Sequence, residues 1–351
     1  RTFIKNSKKN YDVIVYGLLD SQSNLSSKGG IRLDSYVYTV EALTESKNRL
    51  KNDGFIFISF FVQTPEIGYK IFKMLEKATG FKPIVLKSKT NSRYIFIGGK
   101  EEVDIEINKL KYFKINKDFN DENFYDIDLS TDDWPFLYMP SKVYPFTYLS
   151  IIIVLLLFSI YFLNKVIKIK ASNFSASCFF LGAGFMLVET KGITEIAKIY
   201  GSTWVVISIV IAAVLFMSFV ANLIVMKKIK ISSTSAYSLL LISLITGYYL
   251  FTQDSMIISP NINKVLMPII LTLPILFSGI AFSKELLKLQ SISQALSSNI
   301  LGAMVGGFLE YNSMYFGFSN LYILAGVIYL SAFIFSKAKF NSWVWLNYIE
   351  K

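Results

Sequence analysis

The sequence contains no histidine and one cysteine, Cys178. Without imidazole, acid–base chemistry falls to carboxylates, Lys or Tyr. A single cysteine excludes an internal disulfide, and the two absences together leave no Cys/His set for zinc. Charge is scarce as well, at 17% of residues against 53% hydrophobic, and it is unevenly spread. Residues 1–146 hold 22 Lys/Arg and 19 Asp/Glu, a net of +3, whereas the rest holds 14 and 6, a net of +8. Most of that second excess sits in short loops between apolar runs, where lysines orient a membrane protein. The basic balance therefore does not argue for nucleic acid.

What is present divides at about Thr147. The first half alternates short apolar runs with amphipathic stretches. Tyr11–Tyr16 (YDVIVY) predicts a buried strand, followed by a Ser/Asn/Gly-rich loop from Gly17 to Gly30. Residues 35–51 predict a helix with Val37, Val40, Leu43 and Leu50 on one stripe, and Asp34 is placed to cap it. Asn52-Asp53-Gly54 then reads as a stop before the strand Phe55–Phe61. A second helix over 65–79 ends at Gly80, and two shorter strands, Pro83–Lys87 and Arg93–Ile97, close the series. Strand, helix, strand, helix, strand, strand implies parallel pairing through crossover helices, finished by a hairpin. The expected class is a partial Rossmann-like α/β half-domain of the class I methyltransferase type, followed by an all-α multi-span transmembrane bundle. With three or four strands, one flank of the sheet is left without a partner. Since the chain opens at Arg1 rather than Met, this half is expected to be the later part of a longer domain.

YDVIVYGLLDSQS, followed by RLDSYVYTVEAL and LKNDGFIFISF, resembles the spermidine synthase family, in particular its membrane-fused members. The resemblance implies a sulfonium donor, S-adenosylmethionine or its decarboxylated form, and a polyamine or other nucleophile as acceptor. It also implies that the glycine-rich nucleotide loop and the ribose-binding acid lie upstream of Arg1. Family members with aminopropyltransferase activity carry two aspartates after the first strand, one acting as base toward the attacking amine. Here the first of those positions is Gly17 and the second is Asp20, and glycine cannot take a proton. Asp20 either serves alone as the catalytic base or caps a turn.

Residues 1–100 are thus assigned to the half-domain, and 101–146 to a charged linker ending in Thr131-Asp132-Asp133-Trp134-Pro135-Phe136-Leu137-Tyr138. That string resembles the segment closing the synthase-like domain in membrane-fused relatives. Trp134, Phe136, Tyr138, Tyr144 and Tyr148 fit an interfacial aromatic belt. Asp132 and Asp133 either bind a cation or polyamine, or are simply solvated.

Residues 147–340 predict about seven spans, over 147–164, 174–199, 203–226, 235–252, 265–283, 295–314 and 321–336, with a tail at 341–351. Phe179–Phe216 and Leu301–Gly317 resemble the membrane module of the same family. Glu189, Lys191 and Glu310 lie inside these spans. An ionisable group at mid-membrane costs roughly 2.5–3.5 kcal/mol on insertion scales and faces the protein interior or a cavity. Glu189 and Glu310 either line a proton or cation path or take part in helix-to-helix bonds; Lys191 can pair with Glu195 at i, i+4. Ten lysines on the side opposite the soluble half, against three on its own side, make the opposite side cytoplasmic. Either one of the seven spans does not cross, or the soluble half does not use a cytoplasmic cofactor. The expected setting is a bacterial plasma membrane with the lipid bilayer as partner. The function is either a membrane-integrated aminopropyl- or methyltransferase, or a transporter or sensor that keeps the α/β half as a binding module.

Overall fold

The computed structural model describes residues 1–17, 36–104, 111–120, 126–162, 165, 174–201, 204–229, 231–252, 260–289 and 292–337. The chain forms two compact units, Arg1–Val143 and Tyr144–Lys351.

Among the described residues, the first unit is a small mixed five-stranded sheet with three α-helices. In chain order these are α1 (Thr2–Asn6), β1 (Tyr11–Tyr16), α2 (Val40–Asn48), β2 (Leu50–Phe61), α3 (Pro65–Thr79), β3 (Ile84–Ser88), β4 (Arg93–Gly99) and β5 (Phe113–Ile115). The sheet order is β1-β2-β4-β3-β5. β1 and β2 run parallel, with Ile14 opposite Ile56 and Tyr16 opposite Ile58. A parallel pair needs a crossover, and α2 provides it. β4 lies antiparallel between β2 and β3, so α3 and the closing hairpin return the chain to the sheet.

Local chemistry explains these elements. Thr39 caps α2 by accepting from the Ala42 N–H; Asp34, expected in that role, lies outside the described residues. Pro65 opens α3, where its missing N–H costs nothing, and Gly80 ends it at φ 87°, a conformation that favours glycine. Ile67, Ile71, Met74, Leu75 and Ala78 form the buried stripe of α3, packed with Ile56, Ile58 and Phe60 of β2 and Phe96 of β4.

Three expectations need correction. Asn52-Asp53-Gly54 does not end a segment; it forms a bulge inside β2, where the register jumps from Tyr11–Leu50 to Val13–Phe55. β1 is not buried on both faces: Ile14 and Tyr16 point into the core, while Val13 and Val15 are exposed. Residues 101–146 are not wholly a linker, since β5 pairs with β3 and Phe119 sits in the core among Tyr69, Phe72 and Phe96. Its three residues were too short, and too charged at Lys114, to stand out from the flanking sequence.

The second unit is helical: α4 (Phe146–Phe162), α5 (Ala176–Tyr200), α6 (Trp204–Met226), α7 (Ser233–Thr252), α8 (Pro260–Lys288), α9 (Ile292–Leu309), α10 (Ser313–Phe316) and α11 (Asn320–Lys337). Among the described residues, five helical segments are long and apolar enough to cross a membrane: Ala176–Tyr200, Val205–Met226, Leu266–Lys288, Ile292–Phe316 and Asn320–Lys337. This is compatible with an integral membrane protein. α4 is apolar but shorter, and α7 is not among these five.

α5 packs against α9, α11, α8 and α6. Its closest neighbour is α9, because Gly302 and Gly306 let the α9 backbone approach Phe179 and Ala183, and Gly182 does the same for Asn299. α8 carries two internal prolines, Pro268 and Pro274, and the Thr272 hydroxyl donates to the Pro268 carbonyl at 2.7 Å.

Candidate functional sites

In the first unit the structure gathers polar groups around the start of α2. The Arg1 guanidinium donates to both carboxylate oxygens of Asp132, at 2.6 and 2.5 Å, and to Glu45 at 3.2 and 3.1 Å. A third acceptor is the Tyr36 carbonyl at 3.2 Å. Thr39 donates its hydroxyl to Asp132 at 2.8 Å, and the Asp132 N–H donates to Glu41 at 2.9 Å. Burial alone would lower the Arg1 pKa, yet the hydrogen bonds and charges of Asp132 and Glu45 raise it well above its ordinary value. Glu41 is held above the usual carboxylate range, first by burial and then by the charge of Asp132.

This arrangement fixes Asp132 as a clamp between Arg1 and α2. A two-pronged guanidinium–carboxylate pair is strong and directional, so the carboxylate is not open to an incoming cation. Asp133 is half-buried beside it, and the two acids do not form an open pair. Asp20 lies outside the described residues. At the carboxyl end of β1, Tyr38 donates to the Gly17 carbonyl at 3.1 Å. Tyr16 shares a 2.6 Å hydrogen bond with Ser46, and burial pushes its pKa up to about 12.

A second cluster went unpredicted. Lys70 on α3 is 1% exposed and donates to the carbonyls of Phe136 and Met139, each at 2.8 Å. Its ammonium stands 4.4 Å from the centre of the Trp134 ring. Thr131 turns the chain here, accepting from the Trp134 N–H through its hydroxyl at 3.1 Å. Trp134 and Phe136 are therefore core residues, 1% and 4% exposed, rather than members of an interfacial belt. The signal was legible: Lys70 falls on the apolar stripe of α3, three residues after Ile67 and four before Met74.

In the second unit, α5 carries a buried chain of charge. Lys191 pairs with Glu195, which also pairs with Lys198 at 3.2 Å. Lys191 and Glu195 are 2% and 4% exposed, and Lys191 sits 5.5 Å from the Tyr322 ring of α11. Immediately before Lys191, Thr190 donates to Glu310 at 3.0 Å, joining α5 to the end of α9. Glu189 is half-buried on α5 next to Thr190. The structure thus brings Lys191 to Glu195 and Glu310 to Thr190. Among the described residues, no group of three or more Cys, Asp or Glu could hold a metal ion.

No protein-family model, no curated protein and no solved structure matches this chain.

Proposed function

We propose that the chain belongs to a membrane-integrated transferase resembling spermidine synthase, in which the α/β unit takes a sulfonium donor. The connectivity of the sheet carries this reading. A parallel pair joined by α2, a crossover through α3 and an antiparallel closing hairpin are what the resemblance implies for the later half of such a domain. In α/β sheets of this kind ligands bind beyond the carboxyl ends of the parallel strands, at Tyr16-Gly17 and Phe61-Val62 here. Asp20, downstream of Gly17, takes the proton from the attacking amine, and Asp132 positions the start of α2 rather than touching substrate. The protein, reconstituted in liposomes with decarboxylated S-adenosylmethionine and spermidine, should release methylthioadenosine; with S-adenosylmethionine, the methyl-transfer variant releases S-adenosylhomocysteine. Release of neither nucleoside above a protein-free control would overturn the reading.

A second reading, a transporter or sensor with the α/β unit as a binding module, is favoured by the Lys191–Glu195–Lys198 chain and the Thr190–Glu310 bond inside the spans. A cysteine placed at Lys100 in a Cys178→Ala background separates the two. Labelling from the cytoplasm supports the transferase. Labelling from outside intact cells supports the second reading, because the donor is cytoplasmic.

A further inference from the structure

The helical unit has a cavity of about 380 Å³ bounded by α5, α6, α8 and α9. Its lining is mixed: five side chains, Phe185 among them, are apolar, whereas Ser218, Asn222, Ser278, Ser283 and Asn299 are neutral and polar. Asn222 stands four residues before the end of α6, Ser283 five before the end of α8, and Asn299 seven after the start of α9. The polar groups therefore gather toward one end of the bundle, roughly 6–10 Å below the helix ends at 1.5 Å per residue. With the helix ends taken at the headgroup layer, that is the depth at which ester groups give way to acyl chains.

The hydrogen-bonding capacity there is only partly used. Ser283 donates to Asn222 Oδ1 at 3.2 Å, Asn299 donates to the Cys178 carbonyl at 3.1 Å, and Ser278 donates to the Ile275 carbonyl at 3.1 Å. Among the described residues, the Asn222 amide N–H groups and the Ser218 hydroxyl have no partner. Asn222 is also exposed, and an unpaired amide facing hydrocarbon is costly. At the same end, Lys227 and Lys228 follow α6 and Lys284 lies in the last turns of α8, none of them in an ion pair among the described residues. Lys288, by contrast, is paired with Glu285 at 2.6 Å.

We propose that this cavity is a binding site for an anionic phospholipid. Lys227, Lys228 and Lys284 meet the phosphate, Asn222 and Ser218 donate to the ester oxygens, and the acyl chains run past Phe185. Basic residues at the end of the bundle toward which a pocket's polar groups gather are suited to acidic headgroups. A free anion would use the lysines but leave the amide and Phe185 unused.

The test is native mass spectrometry and thermal unfolding of the purified protein in detergent, with phosphatidylglycerol, phosphatidylcholine or glycerol 3-phosphate added. Phosphatidylglycerol should be retained one to one and raise the unfolding midpoint; the other two should do neither. Asn222→Leu, and separately Lys227→Ala/Lys228→Ala/Lys284→Ala, should lower phosphatidylglycerol occupancy, by about fivefold per lysine, without shifting the lipid-free midpoint. Equal retention of phosphatidylcholine, stabilisation by glycerol 3-phosphate alone, unchanged occupancy in both variants, or a dimer that Asn222→Leu dissociates would each overturn the proposal.

Discussion

The Lys70 ammonium lies 4.4 Å from the centre of the Trp134 ring, deep inside the α/β unit. Burial pulls the pKa of this lysine down from its ordinary 10.5 to about 7, although two carbonyl acceptors and the ring face favour the charged form. The unfolded chain then binds more protons than the native one between about pH 7 and 10.5. Stability should therefore rise with pH across that window, with a slope of at most about 1.4 kcal/mol per pH unit. Denaturant unfolding followed by tryptophan fluorescence at pH 7, 8, 9 and 10 measures it. A slope that persists unchanged in Lys70→Met would show that another group is responsible.

Asp132→Asn should destabilise the α/β unit by about 2–4 kcal/mol, because it leaves the buried Arg1 with Glu45 as its remaining charged partner. Calorimetric titration of the same variant with spermidine separates this from a ligand role. Unchanged stability with lost spermidine affinity would return Asp132 to the binding site.

Gly302→Ala should disrupt the α5–α9 contact, since an added methyl would overlap the Phe179 carbonyl. Gly307→Ala is the control, as open space surrounds that position. Size-exclusion profiles in detergent after mild heating should show early aggregation for the first and none for the second.

Lys191→Met should cost about 3 kcal/mol, because Glu195 is left buried with Lys198 as its charged partner. Adding Glu195→Leu should recover most of that loss. If the double variant is as unstable as the single one, packing against Tyr322 rather than charge explains the effect.

The order of strands and helices was readable because period and punctuation agree: β-branched runs for strands, an apolar stripe closed by Gly80 for α3. The ion pair of Lys191 with Glu195 was readable because both lie on one helix at fixed spacing. The Arg1–Asp132 clamp was not, because its partners are 131 residues apart and meet through tertiary packing. Trp134 misled for a related reason. An aromatic before an apolar span looks interfacial until the buried Lys70 reveals a core beneath it.

At 29 residues, α8 is about 43 Å long, against a hydrocarbon layer of about 30 Å. Such excess is absorbed by tilting, bending or local thickening of the bilayer. Pro268 and Pro274 each remove one rung of the helical ladder, leaving the carbonyl four residues earlier without its helical donor, while the Thr272 hydroxyl adds a bond to the Pro268 carbonyl between them. The stretch between them is the least reinforced part of α8, where bending the helix costs least.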